Sequence, residues 1–101
     1  MDDDLIISFD FRKVIYDFCT GPIEGISNVL QSLKNLGYKI LLIEPVGYPW
    51  IKVSMDVYGI YCDDVVCKAP EGCLYISTES DLFNTDPQIM LSNILNYINR
   101  G

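Results

Sequence analysis

The sequence predicts an α/β protein, a three-layer α/β/α arrangement around a mostly parallel sheet. Three observations carry this expectation. The run Leu5-Ile6-Ile7-Ser8-Phe9 is almost continuously apolar, as a strand covered on both faces is. Ile26, Val29, Leu30, Leu33 and Leu36 recur at i, i+3, i+4, i+7 and i+10 and so share one helix face. Lys39-Ile40-Leu41-Leu42-Ile43 is a second apolar strand, and strand, helix, strand at this separation forms a right-handed parallel crossover.

The remaining elements follow in order. The first strand spans 5–9 and runs into Asp10; residues 11–21 connect onward, with Val14, Ile15, Tyr16 and Phe18 suited to a short hairpin-like flap. The first helix is expected over 22–36, with Pro22 in its first turn, Glu24 at the positive end of its dipole and Gly37 to stop it. After the second strand (39–43), Glu44 to Pro49 form a loop. Pro49 opens a second helix that runs to about Tyr58, with Trp50, Val53 and Val57 facing inward and Gly59 closing it. Ile60-Tyr61-Cys62 and Val65-Val66-Cys67 bracket Asp63-Asp64 as a third strand with a polar interruption, the acidic pair being a solvated turn or bulge. Residues 68–72 turn, 73–77 form a fourth strand, and 78–86 are polar loop around Leu82-Phe83. Thr85 or Asp86 caps a last helix that begins at Pro87 and turns Ile89, Leu91, Ile94, Leu95 and Ile98 inward, leaving Gln88, Ser92, Asn93, Asn96 and Asn99 to solvent.

The totals narrow the classes of function. A chain of 101 residues, half of them hydrophobic, suits one compact domain spanning 1–101. Seven basic against 14 acidic residues give a net charge of -7, which repels a phosphate backbone and argues against nucleic acid, while it suits a basic protein partner or a cation. Histidine is absent, and Cys19, Cys62, Cys67 and Cys73 have no CxxC spacing, so no zinc site is expected. Cys62, Cys67 and Cys73 read as buried free thiols of a reducing, cytoplasmic compartment. No apolar run reaches the length of a membrane span, and the acidic start Met1-Asp2-Asp3-Asp4 is not the basic opening of a signal peptide. Abundant Ile, Asn, Tyr and Asp with little Ala or Arg matches an AT-rich genome, which would suit a phage or viral chain whose partner is a host factor.

In parallel sheets ligands gather beyond the carboxyl ends of the strands. Those ends offer Asp10 and Arg12, then Glu44, then Lys68, then Ser77, Thr78 and Glu79. The order of these positions resembles the haloacid dehalogenase-like (HAD-like) superfamily in its small, capless form. Ile7-Ser8-Phe9-Asp10 matches the strand and first aspartate of that family's opening motif, Gly21-Pro22-Ile23-Glu24-Gly25-Ile26 its Pro-led helix, and Leu36-Gly37-Tyr38-Lys39-Ile40 its helix-to-strand join. Lys68-Ala69-Pro70 resembles its lysine motif, and Leu74-Tyr75-Ile76 the lead-in to its acidic pair.

The resemblance implies a Rossmann-like sheet and a magnesium-dependent phosphoryl transfer in which Asp10 would be the nucleophile. The departures fall on that chemistry. Arg12 stands where the family has its acid/base aspartate, and a guanidinium stays protonated. Lys13 replaces the family's glycine, Glu44 the hydroxyl that grips the phosphoryl group, and Ser77-Thr78 the carboxylates that hold magnesium. A neighbour such as Glu79 or Asp81 could replace one lost ligand, but not all the lost groups together.

The expectation is therefore a catalytically inactive domain without a cofactor that binds another protein. A module for a small phosphorylated ligand or nucleotide is the alternative, and a residual magnesium phosphatase the further one. Expected binding residues are Arg12, Lys13 and Lys68 as a basic group, with Tyr48 and Trp50 as loop aromatics, although Trp50 is equally suited to packing under its helix. Asp10 is expected to pair with Arg12 or Lys68 as a structural ion pair.

Overall fold

The computed structural model describes residues 5–46 and 50–100. In chain order they form β1 (Ile6–Asp10), β2 (Tyr16–Asp17), β3 (Gly21–Pro22), α1 (Ile26–Asn35), β4 (Lys39–Ile43), α2 (Trp50–Tyr58), β5 (Asp64–Val66), β6 (Leu74–Ile76) and α3 (Pro87–Arg100). One four-stranded sheet has the order β5-β4-β1-β6 with every neighbour parallel, and β2 and β3 form a separate antiparallel ribbon. The fold is the expected α/β class, with a parallel sheet and three helices. No described helix is long and apolar enough to cross a membrane.

Register sorts the sheet into two faces. Ile7 sits beside Ile40 and Leu74, and Phe9 beside Leu42 and Ile76, so these six share a face. They join Ile26, Val29, Leu30 and Leu33 of α1, Ile51 and Met55 of α2, and Met90 and Ile94 of α3 in one apolar cluster. All three helices therefore feed the core on this side. Ser8, Asp10, Leu41, Ile43 and Tyr75 belong to the opposite face. There β5 and β6 lie at opposite edges, and residues 67–73 link them without a helix. Right-handed crossover takes this link over the second face, where the Ser8 hydroxyl bonds the Cys73 sulfur at 3.3 Å. The layer on that face is thus an irregular link of bends and turns.

Several boundaries differ from the sequence expectation, each for a local reason. Pro22 lies in β3, paired with Tyr16, and α1 starts only at Ile26 because Gly25 is left-handed at φ 87°. A side chain there would also meet Pro87 at 3.6 Å, the point where α1 and α3 approach. Gly37, at φ 98°, ends the helix as expected and leaves Leu36 exposed. In α2 the inward residues are Ile51 and Met55, while Val53 and Val57 are 64% and 78% exposed. Residues 60–62 are not strand. The Ile60 amide is used to close α2 on the Met55 carbonyl at 2.8 Å, and Ile60 and Cys62 drop into the core.

Asp63 carries a ladder role instead of lying loose in solvent. Its carboxylate accepts from the Ile40 amide at 2.7 Å, and its own amide returns a bond to the Ile40 carbonyl at 2.8 Å. In α3, Asp86 is the cap, accepting from the Gln88 amide at 3.0 Å, and Met90 faces inward while Ile89 is half exposed. Cys67 is exposed, as is Cys19; all four cysteines are free thiols.

Leu30→Ala removes a fully buried side chain from the centre of the cluster. Urea unfolding should show a loss of about 2–5 kcal/mol, whereas Val57→Ala should change stability by less than about 0.5 kcal/mol.

Candidate functional site

The site to be judged is the carboxyl edge of the sheet. Strand order reverses between β1 and β6, because the chain steps from β1 outward through β4 and β5 and then returns to β1's other side. The crevice beyond that switch is where ligands of parallel sheets bind. Asp10 ends β1 there, and Ser77 and Thr78 follow β6.

Groups at the crevice bond to one another. The Tyr75 hydroxyl donates to Asp10 Oδ1, across the β1–β6 boundary. Tyr75 and Asp10 meet because both lie on the Ser8 face, one register step apart. Burial of the Tyr75 hydroxyl, followed by its hydrogen bond to Asp10 and the charge of that carboxylate, pushes the phenol up to about 12.

Arg12 does not turn to Asp10. Its guanidinium reaches across the exit of β1 to Glu44, Nε donating to Oε1 at 3.1 Å and Nη2 to Oε2 at 3.2 Å. The Glu44 side chain is only 1% exposed, against 49% for Arg12. The Val46 amide gives the same carboxylate a further bond at 3.2 Å, and the Glu44 amide is held by the Val66 carbonyl at 2.9 Å. A buried carboxylate must be satisfied in this way, since an unpaired one costs several kcal/mol. The expected ion pair at Asp10 is thus corrected. Arg12 is committed to Glu44, Asp10 is bonded to Tyr75, and Lys68 is exposed on the link after β5 with no ion pair to Asp10 among the described residues.

Lys13 is exposed and left-handed, at φ 70°, and its amide bonds the Tyr16 carbonyl at 2.8 Å. This conformation, uncommon for a side chain larger than glycine, turns the chain into the β2–β3 ribbon. Ser77 is absorbed in a turn, its hydroxyl accepting from the Glu79 amide at 3.2 Å. Tyr48 lies outside the described residues. These groups do not fit the magnesium that the resemblance implies. Asp10 has a neutral phenol on it, the Glu44 carboxylate is held by a cation, and the positions after β6 are hydroxyls. Among the described residues no three Cys, Asp or Glu side chains gather as metal ligands.

What surrounds Arg12 is aromatic. Its guanidinium lies 5.0 Å from the Phe18 ring centroid. Phe11, fully buried, stacks on Tyr16 at 5.1 Å, and Phe18 and Trp50 meet Phe11 at 6.0 and 6.1 Å. Tyr16 also touches Trp50 and Tyr58, each at 6.2 Å, and hydrogen bonding with Tyr58, more than burial, raises its phenol above the usual value. The ribbon after Asp10 is therefore fastened to α2 by rings.

Trp50 is among the residues expected to bind and Phe18 lies in the expected flap, while nothing in the sequence singles out Tyr58 or Tyr75. Only the pairing of β1 with β6 and of the ribbon with α2 brings these residues together, and neither is a spacing along the chain.

Comparison with protein-family models, curated proteins and solved structures returns no match.

Two outcomes test this geometry. Arg12→Ala strands the Glu44 carboxylate, and chemical denaturation should show a loss of about 1–3 kcal/mol, less than for a fully buried pair because Arg12 is half in water. The double variant R12A/E44L should recover most of it. Because the folded phenol of Tyr75 ionises later than a free one, its contribution to stability is intact below about pH 10 and is lost as pH rises towards about 12. Tyrosinate absorbance should show a component titrating near pH 12 that disappears in Tyr75→Phe.

Proposed function

We propose that the chain is a catalytically inactive domain on the haloacid dehalogenase-like plan and that it works by binding another protein. The observation that carries this reading is the bidentate Arg12–Glu44 pair with Glu44 buried, beside Asp10 bonded to Tyr75. Phosphoryl transfer is catalysed by positioning and by neutralising charge. A phosphoryl group arriving at Asp10 would have to displace the Tyr75 hydroxyl, and would find the nearby guanidinium already neutralised by a carboxylate. No carboxylate is left in the position that exchanges a proton with the leaving group. The same arrangement weighs against a small phosphorylated ligand at Arg12, Lys13 and Lys68, since the buried Glu44 anion shares Arg12.

The four free thiols suit a reducing, cytoplasmic setting. The phage or viral origin suggested by composition would make the partner a host factor.

Incubation with a generic phosphate ester and magnesium should give no turnover above buffer. Turnover that is lost on Asp10→Asn would overturn the reading and make the molecule a phosphatase. Thermal-shift screening with magnesium and nucleotides should give no stabilisation, whereas saturable binding at 100 times the dissociation constant would add about 2.7 kcal/mol and would favour the small-ligand alternative.

A further inference from the structure

Several large apolar side chains are exposed together on α2 and the ribbon. Phe18 is 50% exposed, Trp50 42%, Val53 64%, Val57 78% and Tyr58 50%. Trp50, Val53 and Val57 fall at i, i+3 and i+7, so they form a stripe along α2 opposite to Ile51 and Met55. Phe18 continues the stripe onto the ribbon, 6.4 Å from Trp50 between ring centroids. The patch is pre-formed, because Phe11 and Tyr16 hold its rings from beneath. An apolar stripe that includes an exposed Trp has the composition of an interaction hot spot.

Charge selects the occupant. Asp56 is exposed on α2 between Val53 and Val57, and Asp17, half-buried with Oδ1 accepting from the Cys19 amide, adjoins Phe18, where the Arg12 guanidinium over the ring is offset by Glu44. The molecule as a whole carries -7. A second copy would bring like charge against like, so self-association through this face is opposed by the same field that attracts a cationic partner.

We infer that the Phe18–Trp50–Val57 face is the docking surface for a basic amphipathic segment of another protein, its aliphatic side against the stripe and its Lys or Arg residues beside Asp17 and Asp56. This names the surface and the partner chemistry for the protein-binding reading above, and rests on it.

Trp50 is the protein's one tryptophan, so its fluorescence reports on the patch directly. The probe is a helical Leu/Lys amphipathic peptide, with a Leu/Glu peptide of the same pattern as its counterpart. The Leu/Lys peptide should shift Trp50 emission to the blue, saturably, and bind at least tenfold more weakly to V53S/V57S and to Phe18→Ser. It should also weaken several-fold in D17N/D56N and on raising salt. Circular dichroism and the unfolding midpoint check that each variant is folded. Equal binding of both peptides, or binding of the Leu/Lys peptide that ignores the patch variants, overturns the inference. So does concentration-dependent dimerisation of the chain that V53S/V57S abolishes, which would give the face to a second copy.

Failure here is separable from failure of the non-catalytic reading. A natural partner captured equally by V53S/V57S would move the interface elsewhere and leave that reading standing, whereas phosphate-ester turnover would remove the reading whatever the peptides do.

Discussion

The Glu44 carboxylate is buried at the carboxyl end of β4, and the neighbouring chain is arranged to satisfy it. An anion in that position requires a cation with two aligned donors, and Arg12 supplies them from the exit of β1. The pair ties together the ends of the two central strands. Beyond Arg12 the chain turns left-handed at Lys13 and enters the β2–β3 ribbon. Placing the ribbon places Phe18 under the guanidinium and Tyr16 on Phe11.

The same constraint underlies the proposal that the chain does not carry out phosphoryl transfer. A parallel sheet with an aspartate at its switch point has the place for phosphoryl chemistry. The chemistry needs open coordination and mobile protons at that place. Here the aspartate is held by a phenol, and the neighbouring charges cancel each other. The groups at these strand ends bond to one another, and exposed rings and valines lie on α2 and the ribbon.

The candidate site was partly legible in the sequence. Arg12 and Glu44 could be identified as incompatible with the chemistry that the resemblance implies, because their ionisation is a property of the side chain and needs no neighbour. Their union could not be read, since it spans 32 positions and depends on β1 lying beside β4 in one register. Tyr75 was passed over for the same reason. Nothing in Leu74-Tyr75-Ile76 marks which face the ring takes, and only pairing with β1 sets it beside Asp10. In α2, both Ile51-Met55 and Val53-Val57 fit helical spacing. The choice fell to the side of the helix that the sheet covers.

By itself the sequence determined the class of the fold, since periodicity and helix stops are local properties. The apolar runs at 6–10 and 39–43, the one-sided stripe of α1, the left-handed stop at Gly37 and the Asp86-Pro87 start of α3 each act over a few residues. Tertiary structure alone decided which edge β6 joins, that all three helices feed one core, and which partner each charged group at the strand ends finds. Those outcomes depend on distances between segments far apart in the chain, where buried charge must be matched and apolar faces must meet. No window of sequence contains both halves of such a contact.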